Sequence, residues 1–368
     1  MDGTARNDDL RVALSMLTLV PGGMGGSETY ARALTRHLVG IPGFTATAFV
    51  PALAAGFSEG AAETVIESVQ GGLSTRARLQ AVAAAITHGP SIRAAMSSAD
   101  VVHYPFTVEA PKAARNQAVV QSVHDVQHLD LPHLFSRAEL LYRRYFYEAG
   151  ARRADIVVTI SEFAKQRIVE LLGIPEEKVR VAYLGVDSAS FIPQHGPREN
   201  FVLYPARGWA HKNHSRLIEA VRIARISNPE LRLVLTGGGL DALGSVPEWV
   251  DRKGLVSTEE LRALYRSAAA LVFPSLYEGF GLPPLEAMAS GCPVAVSNVG
   301  SIPEICGDAA VFFDPLDPES IVQGMTSAIA RTEELSLAGV VHAAKFTWEA
   351  CRDSHLSAYR DARDRKRN

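Results

Sequence analysis

Along nearly the whole chain, strand-sized apolar runs alternate with segments whose apolar residues recur at helical spacing, and this alternation comes in two series. It constrains the fold strongly, because parallel strands need a long crossover connection and helices supply it. In the first series strands are expected at Val12–Val20, Thr45–Val50, Thr64–Val69, Val101–Tyr104, Ala118–Val123 and Ile156–Ile160, with a short one near Val179. Ser27 is expected to cap a helix whose apolar face runs through Tyr30, Leu34 and Leu38. A further helix opens at Ser161. The polar stretch Ser188 to Asn200 reads as a linker, after which strands are expected at Phe201–Tyr204, Leu231–Thr236, Ala270–Phe273 and Val294–Ser297. Ser257 and Glu260 predict a capping box before a helix over Leu261–Ser267.

With 368 residues the chain exceeds what one core usually supports, so two α/β domains are expected, 1–190 and 191–347. A net charge of -3 gives no support for nucleic acid as the main partner. Cys292, Cys306 and Cys351 are few, odd in number and unpaired in spacing, which suits a reducing cytoplasm and no structural zinc. The start of the chain, Met1 to Asp9, is polar and acidic and does not read as a signal peptide. The longest apolar runs are strand-sized, so no membrane span is expected. Arg143, Arg144, Arg152 and Arg153 leave peripheral contact with an anionic membrane open beside an ordinary solvated helix face.

The chemistry concentrates in loops at the carboxyl ends of the expected strands, where open parallel sheets collect ligands. After Ala270–Phe273 comes Ser275-Leu276-Tyr277-Glu278-Gly279-Phe280-Gly281-Leu282-Pro283-Pro284-Leu285-Glu286, with Pro283 and Pro284 suited to the first turn of a helix and Gly291 to its end. Glu278 then hangs at a strand end and Glu286 lies on the helix, with the amides near Gly279, Phe280, Gly281 and Leu282 between them. Amides at a helix start suit a phosphate, and carboxylates suit hydroxyls, so the loop suits a nucleotide-sugar. After Phe201–Tyr204, Arg207 and Lys212 flank a loop able to wrap a diphosphate, and no Asp-x-Asp metal motif occurs in the chain. His124 and Asp125 follow Ala118–Val123, with His128 and Asp130 next along. Gly25 and Gly26 open the first helix, a plain turn or a close backbone approach to a ligand; their spacing is not a dinucleotide fingerprint. Glu28 is left open as a ribose-like or acceptor contact. Gly237 ends another strand, and Glu304 closes Asn298-Val299-Gly300-Ser301-Ile302-Pro303-Glu304.

The string from Glu278 to Glu286 resembles the Glu-x7-Glu signature of retaining glycosyltransferases of the GT-B fold, family 4. Ser161-Glu162-Phe163-Ala164-Lys165, Leu184-Gly185-Val186-Asp187 and the segment 298–304 resemble its smaller motifs, with Ser301 where the family has a second glycine. The resemblance implies two doubly wound Rossmann-like domains facing across a cleft, the first binding the acceptor and the second the nucleotide-sugar, with a last helix, 348–368, crossing back to the first. It implies that His124, Arg207, Lys212 and Glu278 are catalytic. Gly25, Gly26, Asp125, Gly237, Gly279, Phe280, Gly281, Leu282 and Glu286 would bind the donor, Glu286 through the ribose. It implies metal-independent, retaining transfer of a hexose, with no cofactor, from a nucleotide-diphosphate sugar of GDP-mannose, UDP or dTDP type. The acceptor would be a hydroxyl of a glycan, a lipid-linked glycan or a small molecule. The remaining alternatives are a nicotinamide-dependent oxidoreductase and a non-catalytic sugar-nucleotide-binding protein.

Overall fold

The computed structural model describes residues 9–72, 74–194 and 196–367. Residues 1–8, on which the reading of no signal peptide rests, lie outside them. The chain forms two compact units: one of residues 1–160, 164–183 and 348–368, the other of 161–163 and 184–347.

The first unit holds strands β1 (Leu10–Ser15), β2 (Phe44–Pro51), β3 (Ala62–Ile66), β4 (Val101–Tyr104), β5 (Ala118–Ser122), β6 (Ile156–Thr159) and β7 (Val179–Val181). They form one sheet in the order β3-β2-β1-β4-β5-β6-β7, parallel throughout. The second unit holds β8 (Glu199–Pro205), β9 (Arg232–Thr236), β10 (Val250–Gly254), β11 (Ala268–Phe273), β12 (Val294–Ser297) and β13 (Val311–Phe313). Its sheet, also parallel, runs β10-β9-β8-β11-β12-β13. Every residue of β11 is buried, as expected of a central strand covered on both faces. In each sheet the order reverses beside its first strand, between β1 and β4 and between β8 and β11.

Several expectations need correction. The first strand stops at Ser15; Met16 to Val20 is a buried loop, with Met16 N–H donating to Phe49 O at 2.9 Å. An apolar run marks burial, not extension. The third strand covers Ala62–Ile66, and Val69 is buried in the turn beyond it. The strands β10 and β13 were not expected. They are edge strands: β10 carries exposed Asp251, Arg252 and Lys253 and so has no apolar pattern to read, whereas β13, Val311-Phe312-Phe313, is apolar but at three residues too short to show a strand period. The first helix, Gly26–His37, is capped by Gly25 in a positive-φ conformation and not by Ser27, whose hydroxyl is drawn to His124. Ser257 does cap the helix Thr258–Ser267 by accepting from Glu260 N–H at 3.1 Å, but the Glu260 carboxylate turns to Lys253 at 3.4 Å.

The C-terminal helix Trp348–Arg367 belongs to the first unit and is tied there by a buried relay. His355 Nδ1 is 2.8 Å from Cys351 O, and a carbonyl only accepts, so Nδ1 carries the proton and Nε2 is an acceptor. Tyr30 O–H therefore donates to His355 Nε2 at 2.7 Å and must accept from Ser122 O–H at 2.8 Å. Ser122 in turn accepts from His103 Nε2–H at 2.8 Å, which makes His103 Nδ1 the acceptor for Tyr359 O–H at 2.9 Å. One carbonyl fixes the direction of all five bonds. Burial holds both histidines neutral, His355 down at about 4 and His103 well below its usual value.

Candidate active site

In the second unit the loops after β8 and β11 leave neighbouring strand ends, at the point where the strand order reverses. They are stitched together. Tyr204 O–H at the end of β8 donates to Lys212 O at 2.7 Å and lies 3.0 Å from Ser275 Oγ. Leu276 N–H donates to His211 O at 2.8 Å. Asn213 adopts a left-handed conformation (φ 60°), in which its amide donates to Pro274 O at 3.1 Å and Pro315 O at 2.7 Å. The outcome is an ion pair between residues far apart in the chain: Lys212 Nζ is 2.6 Å from Glu278 Oε1, and each side chain is 13% exposed. An ammonium has three donors, so Lys212 can hold Glu278 and a second anion together.

Gly281 (φ 127°) caps the helix Leu282–Ala289, and a Cβ there would lie 2.8 Å from Ile302 Cδ1. Two serines set the loop before it. Ser301 O–H reaches Glu278 O at 3.0 Å and Phe280 O at 2.6 Å, and Ser161 O–H donates to Gly279 O at 2.7 Å. Across a trans peptide N–H points opposite to C=O, so the N–H groups of Gly279, Phe280 and Gly281 face away from these serines. They add to the positive end of the helix that follows. Ser301 stands where the resemblance expects glycine, and its hydroxyl was not read as an anchor from the sequence. Glu304 accepts from the N–H groups of Glu162 at 2.7 Å and Phe163 at 3.0 Å, a structural role.

Glu286 projects from the same helix and accepts from Tyr265 O–H at 3.0 Å. Desolvation pushes its carboxyl up to about 7, against the lowering pull of Tyr265 and of Arg262. Its surface is only half-buried, so water tempers that push. Arg207 is half-buried, its guanidinium 5.5 Å from the Trp209 ring centroid. Gly237 is explained by packing: a Cβ would meet Ala206 O at 2.4 Å, and its N–H is taken by Gly254 O at 2.7 Å. His214 is buried and pushed down to about 4, a neutral core histidine.

In the first unit Gly25 has φ 58°, and space around Gly26 is open. His124 meets this helix start: its Nδ1 is 3.2 Å from Ser27 Oγ, and its ring stands edge-on to Tyr30 at 4.8 Å. Its Nε2 is buried without a hydrogen-bond partner, and desolvation pushes the imidazole down to about 4. Asp125 Oδ1 closes a local turn by accepting from Gln127 N–H at 3.0 Å. Asp130 is committed to the Arg167 guanidinium, and Glu28 to Gly22 N–H at 2.8 Å and to Arg32. His128 is buried 3.5 Å from Glu148. Of the four arginines that leave membrane contact open beside an ordinary solvated face, Arg143 lies over the Phe135 and Tyr147 rings, Arg152 donates to Leu172 O and Arg153 pairs with Glu109. Arg144 is exposed, as are Leu141 and Tyr145.

Two family models match: one described as Glycosyl transferases group 1 over residues 187–337, and one described as Glycosyltransferase Family 4 over residues 24–190. The chain is 29% identical over 272 residues to O-antigen chain mannosyltransferase B of Escherichia coli, covering 67% of this chain and 71% of that protein. It is 33% identical over 231 residues to O-antigen chain mannosyltransferase RfbU of Salmonella typhimurium, covering 60% of this chain and 62% of that protein. Among solved structures, sucrose-phosphate synthase from Thermosynechococcus elongatus superposes with a TM-score of 0.77 at 20% identity, covering 95% of this chain and 98% of that one. Anabaena HepE in complex with UDP and glucose gives 0.70 at 16% identity, covering 94% and 98%. At such identities these structures bear on the fold alone.

Proposed function

The chain belongs to the family 4 (group 1) glycosyltransferases of GT-B fold, and from that premise we propose that it transfers a hexose, with retention and without a metal ion, from a nucleotide-diphosphate sugar to a hydroxyl acceptor. The observation that carries this reading is the largely enclosed Lys212–Glu278 pair beside the Gly281-capped helix start. As the sugar C1–O bond breaks, negative charge grows on the departing diphosphate. Lys212, Arg207 and the N–H groups of Gly279, Phe280 and Gly281 supply the opposing charge that a metal would otherwise bring. Glu278 binds sugar hydroxyls and Glu286 the ribose diol. Attack comes from the same face: the acceptor oxygen bonds to C1 while its proton passes to the leaving phosphate oxygen. His124, with Nε2 unpartnered and the ring neutral, suits a hydrogen bond to a sugar hydroxyl.

A mannose donor carried by GDP leads over UDP- and dTDP-hexoses, since both relatives named above carry mannosyltransferase in their names. The acceptor is a glycan, lipid-linked or small-molecule hydroxyl. The few, unpaired cysteines support a cytoplasmic setting for this work, and any membrane contact would fall to the exposed Arg144, Leu141 and Tyr145. The test incubates the protein with GDP-mannose, UDP-glucose or dTDP-glucose and a simple alkyl glycoside, in EDTA, and reads the anomeric configuration by NMR. The expected result is an α-linked product from an α-linked donor. Inversion, or activity lost in EDTA and restored by a divalent ion, would overturn the mechanism. Donor binding without turnover would favour the non-catalytic alternative, and tight NADH binding the oxidoreductase.

A further inference from the structure

Tyr265 is fully buried on the helix Thr258–Ser267, packed against Phe191 with ring centroids 6.1 Å apart. A phenol so enclosed needs an acceptor, and the one it has is Glu286 Oε2 at 3.0 Å. Among the described residues no other hydrogen bond is recorded to this carboxylate, so one oxygen is occupied and Oε1 remains for a ligand. We infer that Tyr265 is a positioning residue for Glu286: its hydroxyl fixes the carboxylate's orientation and favours the charged form that a ribose diol requires. This rests on the reading of Glu286 as the ribose partner.

Among the described residues, the charged and titratable groups beside the pair include Arg198, whose guanidinium donates to Tyr265 O at 3.3 Å and acts electrostatically on Cys292. Arg262, one turn before Tyr265, lowers the Glu286 carboxyl electrostatically; Cys292 lies near the phenol and is itself held protonated by burial. Burial pushes Tyr265 well above its ordinary value, so it donates throughout the accessible pH range. A diol donates two hydrogen bonds to a carboxylate, and a protonated carboxyl loses that capacity in part. Binding of a ribonucleotide should therefore weaken in acid, as the Glu286 carboxyl, pushed up toward about 7 by burial, takes up its proton. Without the phenolic donor the carboxyl protonates at still higher pH.

The experiment measures the affinity of UDP and GDP, and of their 2′,3′-dideoxy forms, between pH 5.5 and 9 for the wild-type chain and Tyr265→Phe, which keeps the ring. The expected result is a wild-type preference for the ribonucleotide that fades with acid. In Tyr265→Phe that fading moves to higher pH, leaving ribonucleotide binding about tenfold weaker at pH 7 and dideoxynucleotide binding unchanged. A merely structural tyrosine would weaken both nucleotides alike, and that result overturns the inference. If the wild type discriminates and the variant's profile overlays it, the Tyr265 inference alone fails. If the wild type binds ribo- and dideoxynucleotides equally at every pH, or binds neither, the reading of Glu286 fails with it. Should Tyr265→Phe not fold, site-specific 3-fluorotyrosine at this position, a stronger donor, must shift the profile the other way; no shift sinks the inference.

Discussion

Lys212 and Glu278 stand 2.6 Å apart and mostly out of water, so removing one partner differs from neutralising it. Lys212→Ala leaves a carboxylate enclosed and unpaired, a loss of about 3 kcal/mol by comparison with other broken buried pairs. Glu278→Gln keeps an acceptor for the ammonium and the shape of the loop. Both should reduce sugar transfer roughly a hundredfold, the scale of a lost transition-state contact. Their melting temperatures should part, with Lys212→Ala several degrees lower and Glu278→Gln near wild type. Calorimetry beside a transfer assay checks this; equal melting would mean the pair adds nothing to the fold. Both residues were readable as candidates from their loops. Ser161 and Ser301, which aim the amides between the glutamates, were not, because a serine reaching a carbonyl across the fold leaves no local pattern.

The helix Trp348–Arg367 presents Cys351, His355 and Tyr359 on one buried stripe, and their relay through Tyr30, Ser122 and His103 works only with neutral imidazoles. Unfolded histidines titrate near 6.5, whereas His355 in place resists its proton down to about 4. Below pH 6.5 the unfolded chain binds protons that the folded chain refuses, so stability is full above that value and falls as the pH drops toward 4. Each such histidine contributes up to about 1.4 kcal/mol per pH unit across that window. His124 and His214 act in the same sense, while the raised Glu286 carboxyl acts oppositely between its unfolded value and about 7. The expected outcome is a melting temperature lower at pH 5 than at 7.5, followed by scanning calorimetry. In His355→Phe the protein should be less stable at pH 7.5, since Tyr30 loses its acceptor, yet less sensitive to acid. An unchanged acid slope in that variant would remove His355 as a cause. The helix's apolar stripe is legible in the sequence; the direction of the relay follows only from the Cys351 carbonyl.

The molecule is two parallel-sheet units, and the helix Trp348–Arg367 belongs to the first of them. Truncation after Thr347 should therefore lower the unfolding transition of the first unit, baring the relay, while UDP or GDP binding by the second unit stays close to wild type. Calorimetry and titration read the two effects separately, and loss of nucleotide binding with an unaltered first transition would contradict the division. The alternation of apolar runs with helical segments determined an α/β fold in two parts, because periodicity is written residue by residue into the chain. It also determined which loops carry cations, carboxylates and glycines. Strand order, and with it the meeting of the β8 and β11 loops, was decided only by the tertiary structure, since which strands neighbour one another depends on contacts between distant segments. So were the charged edge strand β10, which needs a neighbour to be a strand at all, and the raised Glu286 carboxyl and the neutral state of the buried histidines. Burial sets those states, and burial belongs to the packed molecule and not to any stretch of its sequence.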